Sequence, residues 1–134
     1  MNTFYVEIIA SNGVYFKGKV NAVIFPTIDG EVEFMAFHED VTEAVDVGVL
    51  RVQHDDGVWH RAVISEGVAQ FVHNRCRILV DTCEKPEDID RARAEAAAER
   101  AKEQLRQKKS IEEYKIAQGS LARALTRLKE TYKD

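Results

Sequence analysis

Apolar and polar positions alternate in short runs through the first eighty-odd residues, then change to helical spacing. Tyr5-Val6-Glu7-Ile8-Ile9 precedes Ser11-Asn12-Gly13, and Val20 to Phe25 precedes Asp29-Gly30. Val32-Glu33-Phe34 leads into a polar loop around His38-Glu39-Asp40. Val49 to Val52 precedes Asp55-Asp56-Gly57, Val58 to Ile64 precedes Glu66-Gly67, Val68 to Val72 precedes His73-Asn74, and Arg77 to Val80 closes the series. Asp-Gly and Asn turns tolerate positive φ and suit hairpins. Short strands at regular spacing, with no helix between them, predict an antiparallel β-sandwich over residues 1–85.

From residue 86 the period becomes helical. Pro86 followed by Glu87, Asp88 and Asp90 predicts a helix start, since proline suits the first turn and acids complement the helix dipole. Ala94, Ala97, Ala98, Ala101 and Leu105 fall on one narrow face of a helix running to about Gln107. Ser110-Ile111-Glu112-Glu113 is a capping-box pattern that starts a second helix. Its expected apolar face is Tyr114, Ala117, Leu121, Ala124, Leu125, Leu128 and Tyr132. Two helices with so short a link predict an antiparallel hairpin over residues 86–134. The fold class is therefore α+β in two domains.

Charge separates the same two parts. The 134 residues carry a net charge of −4. After Pro86 there are 12 basic and 10 acidic side chains, which leaves 7 basic and 13 acidic before it, so the hairpin is +2 and the sandwich −6. No apolar run approaches the roughly 18–20 residues of a membrane span. Met1-Asn2-Thr3-Phe4 does not open a signal peptide. The acidic sandwich has no basic stripe in its sequence, which argues against nucleic acid. Cys76 and Cys83 read as two residues of one strand, on opposite faces by their odd spacing, and are expected to be reduced thiols.

Little in the first part suggests chemistry. His38, His54, His60 and His73 are scattered, with no i, i+2 pair to share a metal, and are expected at the surface or rim. There is no phosphate-binding glycine loop, nucleophile elbow or Cys-x-x-Cys. Trp59 and Phe71 are expected as core or sheet-face residues.

The hairpin is more informative. A buried leucine is worth about 1.5–3 kcal/mol and an alanine on the order of 1 kcal/mol, so an alanine face is a weak partner surface. Alanine is also the best helix former, so each helix persists without its partner. This composition suits a detachable element, and it equally suits a permanent, closely spaced hairpin. With a turn near Lys109, residue 93 lies opposite about residue 125. Asp90, Arg93, Ala97 and Arg100 share one flank of the first helix, and Arg123 and Arg127 one flank of the second. Arg93, Arg123 and Arg127 would then converge, and either an anion sits among them or Asp90 and Glu87 neutralise them.

This architecture resembles the epsilon subunit family of bacterial F-type ATP synthases over essentially the whole chain. Asp29-Gly30-Glu31-Val32 through His38, Gly48-Val49-Leu50-Arg51-Val52 and Glu66-Gly67-Val68 carry the resemblance in the sandwich. In the hairpin, Ile89-Asp90-Arg91-Ala92-Arg93-Ala94 fits the I/L-D-x-x-R-A motif with which some members bind ATP. Arg123-Ala124-Leu125-Thr126-Arg127-Leu128 is similar to the family's arginine pair on the second helix. The loop after Glu31 departs from the family's Gly-x-x-Pro-x-His-Ala-Pro: Glu33 replaces the glycine, and Ala36 and Asp40 the prolines. Glu31 and His38 are retained.

The resemblance implies a non-catalytic rotor subunit on the cytoplasmic face of the bacterial membrane, peripheral and not inserted. Its implied partners are the gamma subunit, the c-subunit ring and the alpha and beta subunits. Glu31 and His38 would mark the rotor-facing loop. The hairpin would fold against the sandwich or extend along gamma to block ATP hydrolysis, with ATP favouring the folded form. Ile89, Asp90, Arg93, Ala94, Arg100, Arg123 and Arg127 would form the ATP site, the arginines taking the phosphates. No cofactor is required and no metal site is implied. ATP, with or without magnesium, would be a regulatory ligand. Two other classes remain open on the residues alone. A free-standing ATP-sensing module would have a gene neighbourhood without ATP-synthase subunits, and a small β-fold enzyme would show turnover in isolation.

Overall fold

The structure is a computed structural model that describes residues 2–107 and 111–131. Its contacts divide the chain into two units, Met1–Glu84 and Lys85–Asp134.

Nine strands form among the described residues of the first unit: β1 Phe4–Ala10, β2 Gly13–Thr27, β3 Gly30–Met35, β4 Val41–Val45, β5 Gly48–His54, β6 Trp59–Ile64, β7 Gly67–Val72, β8 Arg75–Val80 and β9 Cys83–Glu84. The 15-residue β2 serves both layers of the sandwich. Its first half pairs with β1, and its second half pairs with β3 on one edge and β5 on the other. One layer therefore runs β4-β7-β8-β1-β2 and the other β3-β2-β5-β6-β9.

Three expectations change. The run 41–45, hidden in sequence by Glu39, Asp40 and Glu43, is a strand that pairs with the edge of β7. The sandwich is not wholly antiparallel, because β8 returns beside β1 in the same direction. A parallel pair needs a long connection, which the intervening strands supply. Cys76 and Cys83 are not on one strand: the chain bends at Asp81-Thr82 and starts β9, which pairs with β6. Both thiols are free, and burial pushes each up to about 12.

Alternation explains the core. Along β1 every second residue is buried, and β8 shows the same period. Phe4, Phe25, Phe34 and Phe71 are fully buried. Phe34 from one layer meets Phe71 from the other at 5.3 Å between ring centres, tilted edge to face. Trp59, in contrast, is half exposed on β6.

In the second unit Pro86–Asp88 forms a single 3-10 turn, and Ile89 is extended. The α-helix α1 begins only after Asp90, at Arg91–Gln107, and α2 is Ile111–Thr131. The expected start at Pro86 is therefore five residues early. Asp90 moves it: its Oδ1 accepts from the Arg93 N–H at 3.1 Å and its carbonyl from Ala94 at 3.0 Å, the geometry of a helix cap. The Arg91 guanidinium donates to the Thr131 carbonyl at 3.1 Å, so the start of α1 meets the end of α2 and the hairpin is antiparallel.

Ala94, Ala98, Ala101 and Ala124 are buried in the hairpin, as their spacing predicts. Leu125, expected on the apolar face, is instead 44% exposed. Glu130 is buried on α2, at a position the apolar pattern does not anticipate. Lys109, Ser110 and Tyr132, and the side chains of Glu113, Tyr114 and Ala117, lie outside the described residues.

Candidate functional site

Two places collect the residues that the sequence singles out. The first is a cleft of about 260 Å³ between α1 and α2, lined by Ala97, Arg100, Ala101, Ser120, Arg123, Ala124 and Arg127. Each arginine is placed by helical spacing. Arg123 and Arg127 lie one turn apart on α2, and Arg100 follows Ala97 on the facing flank of α1. Alanines form the floor, so nothing bulky separates the two backbones. Arg123 also donates to Ser120 Oγ at 3.3 Å, one turn back on the same helix. Three guanidiniums that share one cleft favour an anion with several oxygens.

The expected site is only partly assembled. Arg100, Arg123 and Arg127 come together, whereas Arg93 is exposed and does not line the cleft. The register is the reason. A turn centred on Lys109 sets residue 93 against residue 125, but Arg91 meets Thr131, a shift of about one turn that sets residue 93 against about residue 129, while Arg100 shares the cleft with Arg123 and Arg127. Ile89, Asp90 and Ala94 do not line the cleft either. Ile89 closes the 3-10 turn through an N–H to the Pro86 carbonyl at 3.3 Å, Asp90 caps α1, and Ala94 is buried in the hairpin. These three residues shape the start of α1 in this structure.

The second place is β3 and the loop after it. Glu31 lies at the start of the strand beside the β2–β3 turn and His38 beyond its opposite end near the β7–β8 turn, so the two expected rotor-loop residues are not brought together. Glu31 accepts two bonds from Arg51 Nη2, both at 2.9 Å, and both side chains are largely exposed. His38 packs its ring against Phe34 at 4.8 Å and Phe71 at 5.6 Å, so it is a half-buried member of the aromatic cluster. Its Nδ1 lies 2.8 Å from the Glu39 carbonyl. Met35 and Phe37 beside it are 55% and 71% exposed.

The loop between β3 and β4 lacks the glycine and prolines of the pattern given above, and side chains hold it instead. Phe37 sits at φ 65°, and its N–H donates to Asn74 Oδ1 at 2.7 Å. The His73 N–H donates to Asp40 Oδ1 at 3.1 Å. His73 and Asn74 also have positive φ, at 50° and 61°. Three left-handed residues other than glycine therefore meet at one end of the sandwich, a cost that marks a specified shape.

The remaining histidines were expected to be scattered, yet the β5–β6 hairpin stacks His54 on His60 at 3.9 Å, with Phe16 on the other face of His54 at 4.7 Å. Burial, then the charge of His60, holds His54 below its ordinary value, against the opposing pull of Asp56 and Asp55. Among the described residues no three His, Cys, Asp or Glu side chains form a metal-binding group. No helix among them is long and apolar enough to cross a membrane.

Comparison with known proteins agrees with this architecture part by part. The family described as ATP synthase, Delta/Epsilon chain, beta-sandwich domain matches residues 3–86. The family described as ATP synthase, Delta/Epsilon chain, long alpha-helix domain matches residues 87–129. The chain is 42% identical over 131 residues to the ATP synthase epsilon chain of Ruminiclostridium cellulolyticum, covering 98% of this chain and 97% of that one. It is 40% identical over 129 residues to the ATP synthase epsilon chain of Caldicellulosiruptor bescii, covering 96% and 93%. Among solved structures, a chain of the Euglena gracilis mitochondrial ATP synthase shares the fold with a TM-score of 0.78, at 21% identity over 92% of this chain and 78% of that one. The chain belongs to the ATP synthase epsilon chain family, and is a structural and regulatory subunit of the F-type ATP synthase rather than a catalytic one.

Proposed function

We propose that this chain turns with the central stalk, couples ion flow to ATP synthesis, and restrains ATP hydrolysis through its helical hairpin, with ATP as the ligand that keeps the hairpin folded. The sandwich is the anchor in this reading. It contacts the gamma subunit and the c-subunit ring at the cytoplasmic face of the membrane, with Glu31 at the start of β3 and His38 beyond its end as rotor contacts. The extended hairpin reaches the alpha and beta subunits.

The observation that carries the regulatory part is the cleft shared by Arg100 of α1 and Arg123 and Arg127 of α2. A ligand held by both helices has its full site only while they are packed together. Such a ligand shifts the equilibrium by its difference in affinity for the two forms. The seam it secures is built from alanines, each contributing on the order of 1 kcal/mol, so modest binding energy changes the population. The cleft is smaller than the roughly 300–1,000 Å³ that encloses a whole small molecule. It suits the phosphates of ATP, with the nucleoside lying outside it.

The test is a titration of ATP, with and without magnesium, into the full-length chain. The melting temperature rises with ligand concentration if ATP binds the folded form. Arg100→Ala, Arg123→Ala and Arg127→Ala each reduce the rise, and Arg93→Ala reduces it less. No rise at millimolar ATP removes the ATP-dependent part of the reading and leaves the arginines as contacts for other subunits.

A further inference from the structure

The β5–β6 hairpin brings together two imidazoles that the reading above does not use. His60 pairs with Val52 across the hairpin, and His54 lies two residues beyond Val52 on the same face of β5. The two histidines are therefore diagonal cross-strand neighbours, closed by the Asp55-Asp56-Gly57 turn. Their rings stack at 3.9 Å between centres, with a tilt of 24°.

The two rings differ in freedom. His54 is held from several sides. Its N–H donates to the Val58 carbonyl at 3.0 Å, and its own carbonyl accepts from the Gly57 N–H at 2.9 Å and from Asn21 Nδ2 at 3.1 Å. Phe16 of β2 stacks on its ring at 4.7 Å, nearly parallel at 14°. Residue 18 leaves room for that ring by being glycine, since a Cβ there would stand 3.0 Å from the Phe16 Cζ. His60 is exposed, and β6 is paired on its outer side only at Val63 and Ile64, so its ring is free to turn. One fixed ligand beside one adjustable ligand lowers the ordering cost of a site that uses both.

We propose that His54 and His60 form a two-imidazole clip across the β5–β6 hairpin for a transition-metal dication of the Zn²⁺, Ni²⁺ and Cu²⁺ class. Imidazole nitrogen selects these ions over Mg²⁺ and Ca²⁺, which seek oxygen. With zinc–nitrogen bonds of about 2.0–2.1 Å, two nitrogens on one tetrahedral ion stand roughly 3.4 Å apart. Rotation of the His60 ring brings the stacked pair to that spacing with the backbone in place. Among the described residues no third His, Cys, Asp or Glu completes a set, so water takes the remaining positions and the site is weaker than a closed structural one. Charge favours the ion. The sandwich carries a net −6, and Asp55 and Asp56 sit in the turn beside His54. Asp56 Oδ1 already accepts from the Val58 N–H at 2.9 Å, so this carboxylate is held by the turn and contributes its field. The clip lies wholly in the first unit and is independent of the ATP reading.

The experiment titrates Zn²⁺, Ni²⁺ and, as a control, Mg²⁺ into the full-length chain at pH 7.5, where an imidazole of ordinary pKa about 6.5 is mostly neutral and able to ligate. The two ligands come from facing strands, so the ion binds the folded form and the melting temperature rises with Zn²⁺ and Ni²⁺ but not with Mg²⁺. His54→Gln and His60→Gln should each weaken Ni²⁺ binding at least tenfold and abolish the rise. His73→Gln, at an exposed histidine outside the hairpin, should leave both unchanged. Urea midpoints without metal show whether each variant folds, and His60→Gln, at an exposed position, decides the matter if His54→Gln does not. Cu²⁺ electron paramagnetic resonance should show two imidazole nitrogens on the ion in the wild type and one in His60→Gln. A wild type without a rise, an ion with a single nitrogen, or a rise that His60→Gln retains overturns the clip and leaves the stacked rings as a packing contact.

Discussion

The backbone N–H of Phe37 donates to Oδ1 of Asn74 at 2.7 Å, joining two turns that lie 37 positions apart. The same Asn74 side chain donates through Nδ2 to the Thr3 carbonyl at 3.3 Å. One amide thus ties the β3–β4 loop to the β7–β8 turn and to the entry of β1. Asn74→Ala removes both bonds and puts an alanine at φ 61°, where asparagine is better tolerated. The expected loss is about 1–3 kcal/mol, read as a lower unfolding midpoint in urea. Asn74→Gly relieves the backbone and should lose less.

Asp90 is expected to act first as a helix cap. Asp90→Ala should cost about 0.5–2 kcal/mol and lower the helical circular dichroism signal on mild heating. Asp90→Asn keeps a capping oxygen and should restore the helix. If Asn also restores the ATP-induced rise in melting temperature, the carboxylate acts through the cap. A rise that stays lost in Asp90→Asn, with the helix intact, means that the charge itself meets the ligand.

Gly67 tests how closely β7 passes β8. A Cβ built there overlaps the Leu79 carbonyl oxygen and lies 2.8 Å from the Val80 Cα, both of them backbone atoms that cannot swing aside. Gly67→Ala is therefore expected to destabilise the sandwich by roughly 3 kcal/mol or more, with reduced soluble yield and a lower midpoint in urea. Gly30→Ala meets no neighbouring atom but keeps φ at 120°, so its penalty is conformational alone.

Alkaline pH should act through the thiols. Cys76 and Cys83 are pushed from 9.0 to about 12 by burial, so the folded form holds their protons where the unfolded chain releases them. Stability from this source is full below pH 9 and is lost as pH rises from 9 towards 12. The melting temperature should fall over pH 9–10.5, and Cys76→Ala/Cys83→Ala should flatten that slope. Neither thiol should react readily with a thiol reagent at pH 8 until denaturant is added.

Much of the architecture was legible because it depends on local periods. Alternation along Phe4–Ala10 and Arg75–Val80, and the alanines at 94, 98 and 101, each report one buried face without knowledge of what covers it. The strand at Val41–Val45 was not legible, since its polar neighbours gave it the composition of a loop. The two-residue β9 is too short to carry a period. Glu130 shows the same limit on a helix, because its burial depends on what surrounds it in the folded hairpin and its spacing carries no sign of that.

The candidate site divides along the same line. Residue types and one-turn spacing alone marked Arg123 and Arg127 as a pair, and they do line one cleft. Their partner on the facing helix depends on the hairpin register, which packing sets, and packing chose Arg100 in place of Arg93. Asp90 carries the motif in sequence, while the hydrogen bond to the Arg93 N–H gives it the work of starting a helix. The sequence by itself determined which elements form and which charges they carry, because helix and strand periods are local. Only the tertiary structure decided which of those charges meet. Lys17, Lys19, Arg75 and Arg77 come from two distant segments, and they share a surface because β8 returns parallel to β1 while β2 flanks it on the other side.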